Sequence, residues 1–225
     1  MKMTWLGQAG LLFETENLKI LIDPYLSDSV GKVNPDSFRR VPVEARFFAI
    51  QPDVLIFTHD HLDHYDPETV PRFLEKENQE LVLAPGNCWQ KARQFGGKHN
   101  YVLFNRGTEW TEKHVRFTAV PAAHSDPDAI GVIIEAEGKR LYVTGDTLYH
   151  KDIFPELPAE IDLIFLPING VGNNMNAADA ARFAAKSGAK TAVPVHWGMF
   201  DALDPTSFPF ETKIIPEIYK EVVIE

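Results

Sequence analysis

Residues 54–66 read VLIFTHDHLDHYD. The apolar run 54–57 predicts a short buried strand, and turn and helix-start signals follow the histidines. Three of the chain's eight histidines, His59, His61 and His64, therefore fall in a loop at the carboxyl end of a strand. Functional sites of α/β proteins form at this edge of a sheet. The stretch predicts an α/β fold with a site at the end of this strand.

The spacing within this loop suits the binding of two cations. Residues two apart in extended backbone point to the same side, so His59 and His61 can chelate one ion. Asp63 and His64 lie where the chain turns and can reach a second ion. Imidazole and carboxylate together suit zinc, manganese or iron better than calcium or magnesium. We therefore expect two divalent metal ions, with zinc as the first choice and manganese or iron as alternatives.

The rest of the chain offers further residues of metal-ligating type. Each follows a predicted strand within a few positions: His124, Asp146 and His196. Because strand ends of this kind gather at one edge of a layered structure, we expect these three side chains to join the histidine loop.

Strand patterns dominate the chain, with three helices among them. Apolar or alternating runs predict ten strands: Gly10–Thr15, Leu18–Ile22, Val54–Thr58, Leu81–Ala84, Val115–Val120, Ile130–Ala136, Arg140–Thr144, Leu163–Ile168, Thr191–Val195 and Glu221–Ile224. Capping and stop signals predict three helices: Pro67–Lys76 with Asp66 as N-cap, Gly86–Phe95, and Ala177–Lys186 with Asn176 as N-cap. The pattern predicts a layered α/β protein with more than one sheet.

One segment, Tyr25–Ile50, lacks periodicity and predicts an irregular loop that serves as a lid or an oligomer contact. Its arginines, Arg39, Arg40 and Arg46, are candidates for binding an anionic group, although surface charges usually have no such specific role. No linker divides the chain, so residues 1–225 are expected to form a single domain.

Composition narrows the classes of partner. The chain has 225 residues and a net charge of −10, which argues against nucleic acid or an anionic membrane as its main partner. It has no apolar stretch of membrane-spanning length and no signal peptide, so a cytoplasmic location is expected. The single cysteine, Cys88, predicts buried packing without a disulfide. The expected partner is a small-molecule substrate, with a homo-oligomer left open.

Taken in order, these motifs resemble the metallo-β-lactamase superfamily of metal-dependent hydrolases. The resemblance covers nearly the whole chain and implies a four-layer αββα sandwich. It also implies the ligand sets: His59, His61 and His124 for one cation, Asp63, His64 and His196 for the other, and Asp146 as the bridge. Two such cations share a water and lower its pKa toward 7, which would create a metal-bound hydroxide.

The resemblance further implies roles for supporting residues. Asp63 would orient the nucleophile and carry a proton, which makes it the expected catalytic residue. Asp23 and Thr58 would fix the tautomers of the ligand histidines. Within the superfamily, five motifs are similar to the ascorbate-6-phosphate-lactonase-like branch: Thr4–Gly10, Asp23–Ser27, Thr58–His61, Pro167–Gly170 and Asn176–Ala180. The expected activity is hydrolysis of a small ester, lactone or phosphorylated metabolite.

Other functions share this fold. A phosphodiesterase acting on nucleic acid conflicts with the acidic charge. Flavo-diiron redox proteins have an acidic residue at the position where this chain has His61. They also carry a flavin domain that this chain lacks. A thioester hydrolase of the glyoxalase type and a non-catalytic, metal-stabilised binding protein remain as alternatives.

Several polar residues near the motifs have open roles. His150 follows Asp146 by four positions and could touch substrate, but a surface position explains it better. The asparagines Asn169, Asn174 and Asn176 suit caps and turns as well as substrate binding. The two remaining loop histidines, His99 and His114, are expected to face solvent.

Overall fold

The computed structural model describes residues 1–225 and contains thirteen strands and four α-helices. The strands are β1 (Lys2–Gly7), β2 (Gly10–Glu14), β3 (Lys19–Ile22), β4 (Val54–Ile56), β5 (Leu81–Ala84), β6 (Asn100–Leu103), β7 (Glu109–Glu112), β8 (Val115–Pro121), β9 (Ile130–Ala136), β10 (Lys139–Val143), β11 (Leu163–Pro167), β12 (Thr191–Val195) and β13 (Glu221–Val223). The helices are α1 (Ser29–Val33), α2 (Val70–Leu74), α3 (Gly86–Ala92) and α4 (Ala177–Ser187).

The strands form two mixed sheets. The first has seven strands in the order β13-β1-β2-β3-β4-β5-β6, and the second has six in the order β12-β11-β10-β9-β8-β7. Strands β3 to β6 run parallel in the first sheet, and β10 to β12 run parallel in the second. The remaining pairs are antiparallel, and β9 and β10 are joined by a tight turn in which Glu137 and Gly138 both have positive φ.

The alternation of side chains along each strand builds the layers. Val54 and Ile56 of β4 point between the two sheets into a shared core of 26 buried residues. The intervening Leu55 points outward and packs with residues of α2 and α3 in a second cluster. Against the outer face of the second sheet, a third cluster packs residues of α4. The result is the predicted four-layer αββα sandwich.

Three strands escaped the sequence prediction: β1, β6 and β7. β6 and β7 lie at the edges of their sheets and contain no fully buried residue, so their hydrophobic pattern is weak. β1 is different, because five of its six residues are buried and it pairs on both sides with β2 and β13. The other ten strands are confirmed to within a residue or two at their ends.

The helix predicted over Pro67–Lys76 is wrong in its extent, since the α-helix covers only Val70–Leu74. Pro71 has no N–H to donate, so the helical ladder is interrupted near its start. Asp66 still accepts a hydrogen bond from the Glu68 N–H at 3.1 Å, but it caps a preceding turn. The prediction for the last helix is confirmed, because α4 begins after the Asn176 cap and ends at Gly188 in the left-handed conformation.

The segment Tyr25–Ile50 is more ordered than its sequence suggests. It contains α1 and two short 3-10 helices, Pro35–Ser37 and Ala45–Ala49. The half-buried guanidinium of Arg39 donates hydrogen bonds to the backbone carbonyls of Leu6, Tyr25 and Val41 and to the Tyr219 hydroxyl. Arg39 therefore fastens this segment to the first sheet. Its contacts are to carbonyls and a hydroxyl and give no support for the predicted role in binding an anion.

Two loop histidines differ in their burial. His114 is exposed, as predicted. The prediction for His99 is wrong, because its ring is buried and its Nε2 lies 3.0 Å from the Leu74 carbonyl while its Nδ1 accepts from the Glu80 N–H. Cys88 is buried, as predicted, and burial raises the pKa of its thiol.

None of the helices has both the length and the apolar character needed to cross a bilayer.

Candidate metal centre

The seven side chains selected from the sequence converge at one edge of the sandwich. β4 delivers His59, His61, Asp63 and His64 from the first sheet. The second sheet supplies the other three from the carboxyl ends of β8, β10 and β12: His124, Asp146 and His196. The site therefore lies where loops from both sheets meet.

Three imidazoles form the first group. The Nδ1 atom of His61 lies 3.1 Å from Nε2 of His59 and 3.1 Å from Nε2 of His124. His59 is buried, whereas His61 and His124 are half-buried. The group is thus open to solvent on one side.

Asp63, His64 and His196 form the second group. Nε2 of His196 lies 3.2 Å from Oδ2 of Asp63, and Nε2 of His64 lies 4.0 Å from the same oxygen. Asp146 stands between the groups, with one oxygen 3.3 Å from His64 and the other 3.3 Å from His196. It also clusters with His59 of the first group. Asp146 therefore lies within reach of donors from both groups.

Two observations show that the donors fit cations. Nε2 of His64 and Oδ1 of Asp146 are buried and lie 3.3 Å apart, close enough for an ion pair, but neither makes a hydrogen bond to any group. Buried polar atoms without partners are rare in folded proteins. In addition, ligands held at 2.0–2.1 Å from a tetrahedral zinc are separated by about 3.4 Å, close to the nitrogen separations in the first group. The residues present therefore fit divalent cations.

Charge is distributed unequally between the two groups. Burial and the neighbouring His64 lower the pKa of His59 well below its usual value, so this ring is neutral. Burial alone would also lower the pKa of His196, but the carboxylates of Asp146 and Asp63 outweigh it and raise the pKa to about 10. The pKa of His64 is likewise raised by Asp146, Asp23 and Asp63 against the effect of burial. Without a bound cation, protons on the rings of His64 and His196 therefore balance the negative charge of the neighbouring carboxylates.

Asp23 and Thr58 support the cluster as predicted from the resemblance. Oδ2 of Asp23 lies 2.7 Å from Nδ1 of His64, which directs the other ring nitrogen toward Asp146. Asp23 also accepts hydrogen bonds from the backbone N–H and the hydroxyl of Thr58. Both residues are fully buried, so the orientation of His64 is fixed by packing as well as by hydrogen bonding.

Gln8 is a supporting residue that the sequence analysis missed. Its Nε2 donates to Oδ2 of Asp63 at 2.9 Å, and its backbone carbonyl accepts from the His196 N–H at 2.9 Å. Gln8 has a φ of 48° in the turn between β1 and β2, and its carbonyl is also fixed by the Trp5 indole. A glutamine carries no metal-site signature, and 55 positions separate it from Asp63. The only signal for it in the sequence was its place in the Thr4–Gly10 motif.

Two of the three asparagines with open roles touch the cluster. Nδ2 of Asn174 donates to Oδ2 of Asp146 at 2.7 Å, and Nδ2 of Asn169 lies 3.1 Å from Nδ1 of His196. Asn176 instead caps α4 by accepting from the Asp179 N–H. His150 is exposed and makes no contact with the cluster.

The comparisons with known proteins agree with this geometry. A sequence profile described as the β-lactamase superfamily domain matches residues 19–197. A UPF0173 metal-dependent hydrolase of Pyrococcus furiosus is 30% identical over 236 residues, covering 100% of this chain and 96% of the relative.

Solved structures share the fold. A metallo hydrolase of Ignicoccus hospitalis has a TM-score of 0.78 at 22% identity, covering 100% of this chain and 98% of its own. The isothiocyanate hydrolase from Delia radicum gut bacteria has a TM-score of 0.76 at 20% identity, covering 100% and 99%. On the strength of the profile and the full-length relative, this chain belongs to the metallo-β-lactamase superfamily and, within it, to the UPF0173 family of metal-dependent hydrolases.

Proposed function

We propose that this chain holds two divalent cations and uses them to hydrolyse a small ester, lactone or phosphorylated metabolite. One observation carries the proposal, namely that two triads of buried or half-buried donors meet on either side of Asp146. His59, His61 and His124 would hold one cation, and Asp63, His64 and His196 the other. Zinc suits this imidazole-rich set, with manganese or iron as alternatives.

The cations would supply an acidified water and would stabilise negative charge on the substrate oxygen. The chain itself would position the other reacting groups. Gln8 and His196 fix one oxygen of Asp63, and the Asp63 side chain retains a solvent-exposed fraction of 17%. The carboxylate can therefore orient an attacking water and accept its proton, which makes Asp63 the proposed catalytic residue.

Lactones belong in the proposed substrate range because of the motif resemblance to the ascorbate-6-phosphate-lactonase-like branch. The support is the sequence of Thr4–Gly10, whose Gln8 contacts Asp63, together with Pro167–Gly170, whose Asn169 contacts His196. Both motifs touch the proposed second cation site, so the resemblance extends to groups that shape the chemistry.

Elemental analysis of the native protein tests the proposal, followed by turnover assays of esters, lactones and phosphoesters before and after chelation. We expect about two bound metal ions per chain and loss of turnover on chelation, with recovery on adding the same metal. Replacing His59 or His196 by Ala should abolish turnover, whereas the exposed His114→Ala should behave as wild type. Turnover that survives exhaustive chelation would contradict the proposal, and full metal content without turnover would favour the non-catalytic alternative.

A further inference from the structure

We infer that the substrate is an ester or lactone that carries an aliphatic group and no charge away from the bond that is cleaved. This inference rests on the proposed hydrolase function and narrows its substrate range. It follows from the residues of the five loops around the metal centre, which we define as 58–66, 121–129, 144–150, 167–176 and 194–201.

The five loops contain no lysine or arginine. They contain seven aspartates, of which Asp63 and Asp146 belong to the metal centre. A phosphate or carboxylate remote from the scissile bond is normally held by arginine or lysine in a charge-assisted hydrogen bond. Away from the cations themselves, such an anion would find no lysine or arginine on these loops, and a charge left unpaired near a partly buried site is disfavoured.

The cations on neighbouring segments are mostly engaged elsewhere. Lys91 of α3 binds both carboxylate oxygens of Asp60 at 2.7 and 2.8 Å. Arg39 donates to backbone carbonyls and the Tyr219 hydroxyl. Arg40 lies over the Phe38 ring but is exposed, and its backbone N–H donates to the Met199 carbonyl of the fifth loop. Lys151 is the first basic residue beyond the third loop and is exposed. Whether Lys151 helps to bind an anionic substrate can be tested by replacing it with alanine.

The same loops expose apolar side chains. Leu62 is 39% exposed between His61 and Asp63, Leu148 is 43% exposed two positions after Asp146, and Val171 is 69% exposed. Val171 lies on the loop whose asparagines contact Asp146 and His196. Three of the chain's seven exposed large hydrophobic residues therefore lie on loops of the metal centre, and an alkyl chain that covered them would gain hydrophobic binding energy.

The test uses p-nitrophenyl esters and the zinc-loaded protein. One series is the butanoate, hexanoate and octanoate, and the other carries a terminal carboxylate at matched chain length. We expect kcat/KM to rise by up to about fourfold per methylene in the neutral series, the limit for full burial. The terminal carboxylate should lower kcat/KM about tenfold or more.

Variants test whether the difference in kcat/KM between the neutral and the anionic esters arises at these loops. Val171→Arg and Leu148→Lys should narrow the gap between the two series, because each places a cation on the loops without touching the metal donors. Val223→Arg, on the 59%-exposed valine of β13, is the matched control and should leave the gap unchanged. Lys151→Ala should also leave it unchanged.

The outcomes separate the two claims. Chelator-sensitive turnover that prefers the anionic esters, or that falls sharply in Lys151→Ala on those esters, would overturn the substrate class and leave the hydrolase function intact. Turnover of phosphoesters but of neither ester series by fully metal-loaded protein would likewise overturn the substrate class alone. Turnover of no ester, lactone or phosphoester by that protein, or turnover insensitive to chelation, would overturn the hydrolase function and the substrate class with it.

Discussion

At the scale of single residues, the side chains that hydrogen-bond to the ligand histidines govern how tightly the centre can bind a metal ion. Asp23 has a φ of 42°, in the left-handed region that aspartate tolerates better than most residues, and it serves His64 and Thr58 at once. The carboxylate accepts hydrogen bonds from the Thr58 N–H, the Thr58 hydroxyl and Nδ1 of His64. An asparagine at this position would point its NH₂ group, which is itself a donor, toward one of these donors.

Replacing Asp23 by Asn should therefore weaken zinc binding by about 10- to 100-fold, because outer hydrogen-bond partners hold ligand histidines in the correct tautomer. Titration of Zn²⁺ against a competing chelator measures the change. The exposed Asp152→Asn serves as control and should bind zinc as wild type does. Equal affinities for the two variants would show that Asp23 has no such role.

Metal binding should also release protons. The pKa of His64 is raised well above its usual value and that of His196 to about 10, so both rings are protonated at pH 7 in the metal-free protein. A cation that binds these nitrogens must displace about two protons, and affinity must therefore rise with pH in this range. Calorimetry in buffers of different ionisation enthalpy gives the proton count, and a count near zero would contradict the protonation of both rings.

Glu80 directly precedes β5, at the end of the sheet opposite the metal centre, and provides a separate pH effect. Burial raises the pKa of this carboxyl to about 7, although Asn78 and Lys76 oppose the shift. Between pH 4.5 and 7 the unfolded chain has lost this proton and the folded chain keeps it. The free energy of unfolding therefore falls as pH rises through this window, by about 3 kcal/mol in all.

Glu80→Gln should remove this contribution, since glutamine does not titrate. Urea unfolding at pH 4.5 and pH 8 compares the two proteins, and the variant should show the smaller loss of stability on raising the pH. An identical pH dependence would contradict the assignment.

At the scale of elements, the turns after the strands place the ligands. Gly145 precedes Asp146 after β10 and has a φ of 60°. A Cβ atom there would lie 2.8 Å from the Ile130 carbonyl oxygen and 3.0 Å from Cβ of Thr58. The close approach of β10 to the loop after β4 thus requires glycine.

Gly145→Ala should lower the free energy of unfolding by about 2–4 kcal/mol, since it combines backbone strain with a clash against backbone and a buried side chain. Gly138→Ala in the β9–β10 turn is the matched control, because Gly138 has a φ of 72° but no atom within 4 Å of its would-be Cβ. It should cost only about 1 kcal/mol. Urea unfolding of both variants measures the difference, and equal losses would show that the close approach is unimportant.

Element prediction from the sequence succeeded where one physical signal dominated. Continuous apolar runs such as 163–167 identified buried strands, and the Asn176 cap with Gly188 identified α4. Prediction failed for the helix after Asp66, where Pro71 competes with capping signals, and for the edge strands β6 and β7, which contain no fully buried residue and so have a weak hydrophobic pattern.

At the scale of the whole molecule, the centre joins the two sheets. Four of the donor side chains come from the loop after β4 in the first sheet, and His124, Asp146 and His196 come from the second. Cations held by both sets would link the two halves of the sandwich across the open edge of their shared core.

Chelation should therefore lower the thermal unfolding temperature as well as activity. A ligand present at a thousand times its Kd stabilises the folded state by about 4 kcal/mol. Calorimetric scans with and without chelator, followed by readdition of Zn²⁺, measure the effect. His196→Ala should show a smaller response, and an unfolding temperature indifferent to chelation in the wild type would contradict the cross-sheet link.

The sequence by itself determined the layered fold and the αββα resemblance, and it predicted the seven candidate donor positions that the structure brings together, because strand periodicity and a dense histidine motif are local signals. Only the tertiary structure decided that Gln8 holds Asp63, that Asn174 holds Asp146, that Arg39 fastens the 25–50 segment, and that Leu62, Leu148 and Val171 remain exposed on the loops of the metal centre. These contacts join residues that are far apart in the chain. Amide, guanidinium and alkyl side chains carry no sequence signature of their own, so their roles depend on which groups the fold places beside them.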